Sequence, residues 1–564
     1  MSSQAIPYIT HEFKSTPDIG WYGSAYLLTA CAFQPLFGRI FMLFSVKKAY
    51  LIALFLFEIG SLLCGVAPNS ITLIIGRAIA GLGSAGILTG SFVVVGAAVP
   101  LQSRPIFMAV VGTMCVTPSS SPLPSLAHAN VAQVRCWRHD WASSRRCVHR
   151  SCGMSSRCRW SDVEEQYADK KAKTWRWCFY VNLPVGAATV LAMLLFFHPG
   201  KNKNSHRGLV ERILDLDIAG NVLLLGAAIM FFLALEYTTQ GVSWASAPVI
   251  GLLVASGVVA ILFIGWQHVK GNAALMPPRI VTQRTVAASC AMAFMIYAAL
   301  INLTYFLPVW FQAIRGVSAL QSGIDMIPYF VVNAVFSLAA GVFVSKVGYA
   351  TPPAVLGSAV GTVGLGLMTL LRVDTTTAQW VGYQVLTSIG FGISIQQGFT
   401  AVQTVLCDED IAIATAAVVA SQSLGGAVFL SVGNSVFQNQ LLKASAAQAL
   451  GDIDIKKLID SGAASFRHLV PADHLPAMLE IYNKALVTVI TVSIPLGVLS
   501  AISACFIEWK SVRAVEVDDQ EKGNTEAARE GAETGTETTE AEQGKDAVPP
   551  REQVRFSGTF PGAL

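Results

Sequence analysis

Charge is what this chain has least of. Asp, Glu, Lys and Arg make up 13% of its 564 residues, about half the roughly 25% usual in soluble domains. The 39 basic and 35 acidic residues leave a net charge of +4, too small and too scattered for a nucleic-acid surface. The sequence has no CxxC pair, and His139 and His149 complete no zinc-ligand spacing with the cysteines. It also lacks a phosphate-cradling loop ending in lysine, which excludes ATP as an energy source. No cleavable leader is expected before the first apolar run. What is abundant is apolar: 53% hydrophobic residues and a mean hydropathy of +0.53. That composition excludes a disordered, collagen-like or disulfide-framework protein and points to a membrane-embedded body.

The charges are grouped, and the gaps between groups are long enough to cross a hydrocarbon layer of roughly 30 Å, which takes about 20 residues at 1.5 Å each. Apolar runs with little or no charge fall at about 21–38, 49–66, 71–95, 177–198, 218–236, 247–267, 286–308, 324–345, 353–371, 380–402, 411–437 and 485–507, giving twelve predicted spans. A thirteenth starts at Pro105 and stops early, near Thr117. The core of a bilayer offers no water to satisfy backbone groups, and runs this long and continuous suit helices better than barrel strands. The expected fold class is an all-α membrane protein.

Basic residues set the expected orientation. If residues 39–48 are cytoplasmic, alternation also places Arg104, residues 199–217, residues 269–285 and Lys346 inside. Those segments hold twelve basic residues, whereas the short outside loops hold only Arg315 and Arg372. The C-terminus is then cytoplasmic, and residues 514–564, with 12 acidic and 5 basic residues, read as a solvated, disordered tail.

Two places break the pattern. Residues 118–176 pass from PSSSPLPS into a Cys/Arg-rich stretch with 11 basic and 5 acidic residues, which alternation would put outside, against the positive-inside rule. Sequence translated out of frame or through a retained intron accounts for it better than a metal site or a stapled loop. At the start, AIPYITHEF (residues 5–13) has the look of a helix tail and exit with only four residues before it, so a truncated first helix is expected.

Several long segments in order carry a family resemblance: LIIGRAIAGLGSAG (Leu73 to Gly86), WRWCFYVNLPVG (Trp175 to Gly186), YFLPVWFQAIRGVSALQSGIDMIP (Tyr305 to Pro328) and VGYQVLTSIGFGISIQQGFTAVQ (Val381 to Gln403), with SQSLGGAVF near Gln422. Together they resemble the major facilitator superfamily. More narrowly they are similar to its fourteen-spanner drug:proton antiporters and, within these, to fungal efflux pumps for toxins and other secondary metabolites. The resemblance implies two six-helix bundles with two extra helices between them, working by alternating access. It divides the chain into an N-terminal bundle at 1–117, the anomalous segment 118–174, the last helix of that bundle at 175–198, a linker and two central helices at 199–285, a C-terminal bundle at 286–510 and the tail at 511–564. It implies structural roles for Gly38, Gly81, Gly83, Gly86, Asn182, Pro184, Pro308, Gly316, Gly323 and Pro328. The chain also departs from the family. The acidic first helix should precede Ala5, PSSSPLPS stands where the antiporter motif should follow Met114, and Phe41 and Met42 sit where many relatives carry an aspartate.

Charges inside spans are costly and mark mechanism. Glu58, near the middle of 49–66, is a candidate to bind and release a proton, the alternative being a structural hydrogen bond. Arg77 matches the family's fourth-helix arginine, linked to proton coupling, with Glu58 as its natural partner; it could instead snorkel to the interface. Glu236 and Asp325 sit at span ends, where solvation also explains them. Gln312, Gln384, Gln396, Gln403 and Gln422 could offer neutral donors and acceptors to a substrate, or bond helix to helix. Gly81, Gly83 and Gly86 spell GxGxxG, but inside an apolar helix this serves close packing, not a dinucleotide. The sequon at Asn302 falls within a span and is read as unmodified.

The function expected is proton-coupled export of small hydrophobic molecules. The alternatives are an importer of a nutrient or siderophore, and a non-transporting sensor or inactive product. No catalytic residue, cofactor or metal is assigned. Expected partners are the substrate, protons and the lipid bilayer, with the chain a monomer. The plasma membrane is the default address, and no signal excludes a vacuolar or vesicular membrane.

Overall fold

A computed structural model describes residues 19–116, 176–180, 182–197, 208–239, 242–447 and 474–513. The expected first-helix truncation, the segment 118–174 and the acidic tail from 514 lie outside the described residues. The described helices all fall in one unit that ends at Val512.

Fourteen principal helices are numbered here in chain order: α1 Ile19–Leu43, α2 Val46–Val66, α3 Ser70–Ala98, α4 Arg104–Val116, α5 Asn182–Phe196, α6 Ile218–Thr239, α7 Ala247–Lys270, α8 Arg284–Ile314, α9 Ile327–Val347, α10 Thr351–Met368, α11 Thr377–Ser394, α12 Gln397–Val405, α13 Asp408–Ala447 and α14 Leu475–Cys505. Among the described residues eleven segments are long and apolar enough to cross a membrane, and two shorter apolar helices start at Arg104 and Asn182. Within the expected span 177–198 the described helical residues are Trp177–Tyr180 and Asn182–Phe196. The last span begins at Leu475, ten residues before the expected 485, because polar Glu480, Asn483 and Lys484 are carried within the helix. The run 380–402 is two helices, breaking after Ser394 and resuming at Gln397.

In the first bundle α3 packs against both α1 and α2, and α5 lies on α2. In the second, α8 packs on α13 and α14, α9 and α10 on α11, and α10 on α14. Apolar solvent offers no hydrophobic drive between helices, so close approach through small residues has to supply the contact. Glycine spacing does this repeatedly. Gly60 of α2 meets the backbone of Ala80 on α3, and Gly83 of α3 meets Ala53 and Phe57 on α2. Gly357, Gly361 and Gly364 of α10 lie against Gly390, Phe391 and Thr387 of α11. On another face of α3, Gly81 touches Tyr26 and Thr29 of α1, and Gly86 touches Phe37.

The two bundles meet along a seam. α1 runs beside α13, α4 beside α9, and α3 and α4 reach α13 and α12. The central helices α6 and α7 pair with each other, and α6 also seats on α1 and α13, with Phe232 packed among Leu28, Cys31 and Ala427. α7 turns Ile250, Val254, Ile261 and Leu262 outward, a surface suited to lipid.

One end of the molecule collects the basic residues. Arg39 is buried there and donates to the Asp215 carbonyl at 3.2 Å. Lys47 donates to the Leu194 and Phe197 carbonyls at the end of α5, where unpaired helix carbonyls favour a cation. Arg284 donates to the Phe506 carbonyl, and the chain after α14 closes on the α9–α10 turn through a Val512 N–H bond to the Gly348 carbonyl at 2.8 Å.

Candidate functional site

The contacts that close the seam cluster toward the basic end. Gly38 of α1 lies against Ala412 and Ala416 of α13. Phe92 of α3 stacks on Phe399 of α12, centroids 4.2 Å apart and planes 12° from parallel. Gly341 of α9 rests on the backbone of Pro105 and Ile106 on α4, and Ser345 donates to the Gln102 carbonyl at 2.6 Å. Arg279, in the short helix before α8, pairs with Asp410 of α13 at 2.8 Å. Deeper in, Gln34 of α1 donates to Ser423 of α13 at 2.8 Å. Gln34 and Ser423 went unsingled in the sequence, although an amide in an apolar run carried the same signal as the other glutamines.

The predicted glutamines divide. Gln396, Gln403 and Gln422 are buried at the seam helices, 3%, 2% and 3% exposed. Gln396, at the break between α11 and α12, fills the space beside Gly112 of α4. Gln403 donates to the Phe92 carbonyl at 3.4 Å and adjoins Gly96. Gln384 lies instead inside the second bundle, donating to the Asp325 carbonyl at 3.2 Å. Gln312 is half-buried near the end of α8. The carbonyl oxygens of Gln34, Gln384, Gln396, Gln397 and Gln403 are buried and accept no hydrogen bond within the protein.

The charged candidates do not gather. Arg77 donates from Nε to the Tyr22 carbonyl at 2.6 Å, and its guanidinium lies 4.8 Å from the Tyr26 ring centre, so α1 holds it. Glu58 faces the other way, its carboxylate against Gly186 of α5, with Oε2 buried and unpartnered. The expected Glu58–Arg77 pair is therefore not formed: they stand on different faces of the α2–α3 pair. Asp325 ends the short helix Ala319–Asp325 and accepts from Gln321 Nε2 at 2.9 Å. Glu236 is buried near the end of α6.

The motif residues hold backbone positions. Asn182 donates to Ser61 at 3.3 Å, joining α5 to α2. Pro184 lies within α5, and Pro328 lies in the first turn of α9, where a missing N–H costs nothing. Pro308 lies inside the continuous helix α8, and its carbonyl accepts from Ser322 at 3.0 Å. Gly316 turns the chain after α8 at φ 68°, in left-handed space that favours glycine. Gly323 sits inside the helix Ala319–Asp325. Asn302 is 1% exposed within α8, no place for a glycan.

Asp217 was not anticipated. This residue, at φ 48° and 5% exposed, precedes α6. Its carboxylate accepts from Trp266 Nε1 at 2.8 Å, Gln267 Nε2 at 3.3 Å, the Leu275 N–H at 2.9 Å and the Gly220 N–H at 3.1 Å. An aspartate directly before an apolar run was the available signal, as a helix N-cap.

A sequence model of the Major Facilitator Superfamily matches residues 1–117 and 167–430. The chain belongs to the major facilitator superfamily. It is 39% identical over 91% of its length to the MFS-type transporter VdtG of Byssochlamys spectabilis, covering 85% of that protein. It is 37% identical over 90% of its length to the efflux pump roqT of Penicillium rubens, covering 87%. The efflux pump aflT of Aspergillus parasiticus is 37% identical over 91% of this chain and 92% of its own length. The solved structure of the proton:xylose symporter XylE bound to a bromodeoxyglucose superposes with a TM-score of 0.50 at 14% identity, over 91% of this chain and 94% of that one, a likeness of fold alone. As a superfamily member with eleven described membrane-crossing segments, the chain is a multi-pass membrane transporter of small molecules.

Proposed function

We propose that this chain is a proton-coupled exporter of small hydrophobic molecules, of the kind its fungal relatives are named for. The observation that carries this is similarity over nine-tenths of the chain to proteins named efflux pumps. The Lys and Arg bias makes the basic end cytoplasmic and leaves the C-terminus inside, with the plasma membrane as the working address and a single chain as the working unit. The seam contacts at that end then form the inner gate: the Phe92–Phe399 stack, the Ser345 to Gln102 bond and the Gly38 contact must part for a substrate to enter from the cytoplasm. The membrane potential supplies about 2.3 kcal/mol per elementary charge per 100 mV. Glu58 is the proton carrier best supported by its surroundings, since its buried Oε2 has no partner and α5 lies directly against it. Gaining or losing a proton there changes the cost of holding α5 against α2. Arg77 anchors α1 to α3 and is assigned a holding role, with Glu236 and Asp325 as secondary carriers. The test is efflux from cells carrying the full chain, measured with and without a protonophore. Export that survives collapse of the proton gradient defeats the coupling, and accumulation inside cells favours an importer.

A second reading is favoured by one observation: the family match stops at 117 and resumes at 167, bracketing the Cys/Arg-rich segment. A transcript that retains the segment 118–174 would favour a non-transporting product, and one that replaces it with a continuous apolar helix would favour the exporter.

A further inference from the structure

Gln34 lies nine residues inside the end of α1 at Leu43, and Gln396 nine residues before the end of α12 at Val405. At 1.5 Å per residue both sit about 13 Å from the basic end, near the middle of a roughly 30 Å layer. They flank the seam from opposite bundles, Gln34 beside Ser423 of α13 and Gln396 beside Gly112 of α4. The amides around them have a common polarity. Gln403 and Gln397 donate their nitrogens to backbone carbonyls, of Phe92 and Ile393, and a carbonyl can only accept, so these two amides are fixed with their oxygens turned away. The oxygens of Gln34, Gln396, Gln397 and Gln403 are all buried and unpartnered, and each of the four residues is 3% exposed or less. The helices along this part of the seam carry no Asp, Glu, Lys or Arg at residues 20–38, 78–98, 105–116, 397–405 and 411–442.

A buried acceptor left without a donor costs free energy that a ligand can recover by supplying one. A charged ligand would lose its hydration at this depth with no counter-charge to meet it. We infer that the seam selects neutral substrates bearing hydroxyl hydrogen-bond donors, phenols or alcohols on an apolar frame, and discriminates against the same frame with its hydroxyls capped. This rests on the export reading above and adds the chemical class of its substrate.

The experiment uses one pair of probes, 5,7,4′-trihydroxyflavone and its tri-O-methyl ether, which share a frame and its acceptors and differ in donors. Binding of each to the purified full chain in lipid nanodiscs is measured, together with export from cells carrying it. The expected result is at least tenfold tighter binding of the trihydroxy compound, the equivalent of one well-placed hydrogen bond, with export following the same order. Gln396→Met, close in shape but without the acceptor, should narrow that ratio severalfold. Equal or tighter binding of the ether to the unaltered protein, with either compound exported, overturns the donor preference and leaves the export reading standing. Failure to bind or export either compound overturns both.

Discussion

Replacing Asp217 should loosen the central helix pair more than any other single polar change outside the seam. The carboxylate joins three elements: it caps α6 at Gly220, holds Trp266 and Gln267 at the end of α7, and takes the Leu275 N–H of the following loop. Gln267 extends the knot by accepting from the Met276 N–H at 2.8 Å. Asp217→Ala leaves the half-buried Trp266 donor and the buried Gln267 and Leu275 donors without acceptors. At roughly 1–3 kcal/mol for each orphaned donor, the expected cost is about 4 kcal/mol or more. Alanine also resists the left-handed backbone found at this position, by roughly 1–2 kcal/mol. Asp217→Asn tolerates that backbone but turns one accepting oxygen into a donor, so about half of the loss is expected. Thermal unfolding of the purified full chain, followed by tryptophan fluorescence, should rank wild type above Asn above Ala. Asp217→Ala melting within a degree of wild type, or Asp217→Asn falling as far as Ala, would refute the assigned bonds.

Gly83→Val should prevent α2 and α3 from closing, because a side chain at 83 would enter the backbone at Phe57; little folded protein in detergent chromatography is the expected result. Gly226→Ala, where nothing lies within 4 Å of the added carbon, should be tolerated in the same assay. Glu58→Gln should abolish uphill export while preserving exchange of substrate between two equal pools, since only the proton step is removed. Arg279→Ala should cost about 1–3 kcal/mol by thermal melting, because the arginine side chain is 57% exposed but Asp410 is only 10% exposed and is left without its partner.

Span positions and their helical nature were legible because twenty apolar residues between charges admit almost no other structure in a bilayer. Boundaries were less so. The break after Ser394 gives no signal, since Ile395, Gln396 and Gln397 read as an ordinary continuation of the run; only tertiary contact with α4 makes it visible. The start of α14 was placed late because Glu480, Asn483 and Lys484 bound the uncharged run at 485, whereas Asn483 accepts from Trp310 Nε1 at 2.7 Å and donates to the Leu371 carbonyl. At the site, the glutamines could be singled out as polar groups in apolar runs, but not sorted. Gln384 and Gln396 are twelve residues apart, and only packing shows that one serves the second bundle internally while the other reaches across the seam. The Glu58–Arg77 expectation failed for a similar reason: residue spacing says that α2 and α3 are neighbours but not which faces they share.

The central claim is that a proton gradient drives a substrate out through this seam. The most direct test reconstitutes the full chain in liposomes, imposes a pH difference and follows the trihydroxyflavone across the membrane. Uphill movement of the flavone against the proton flow, abolished by a protonophore and by Glu58→Gln, is the predicted result. Movement that merely equilibrates the compound, unaffected by either, would contradict the account.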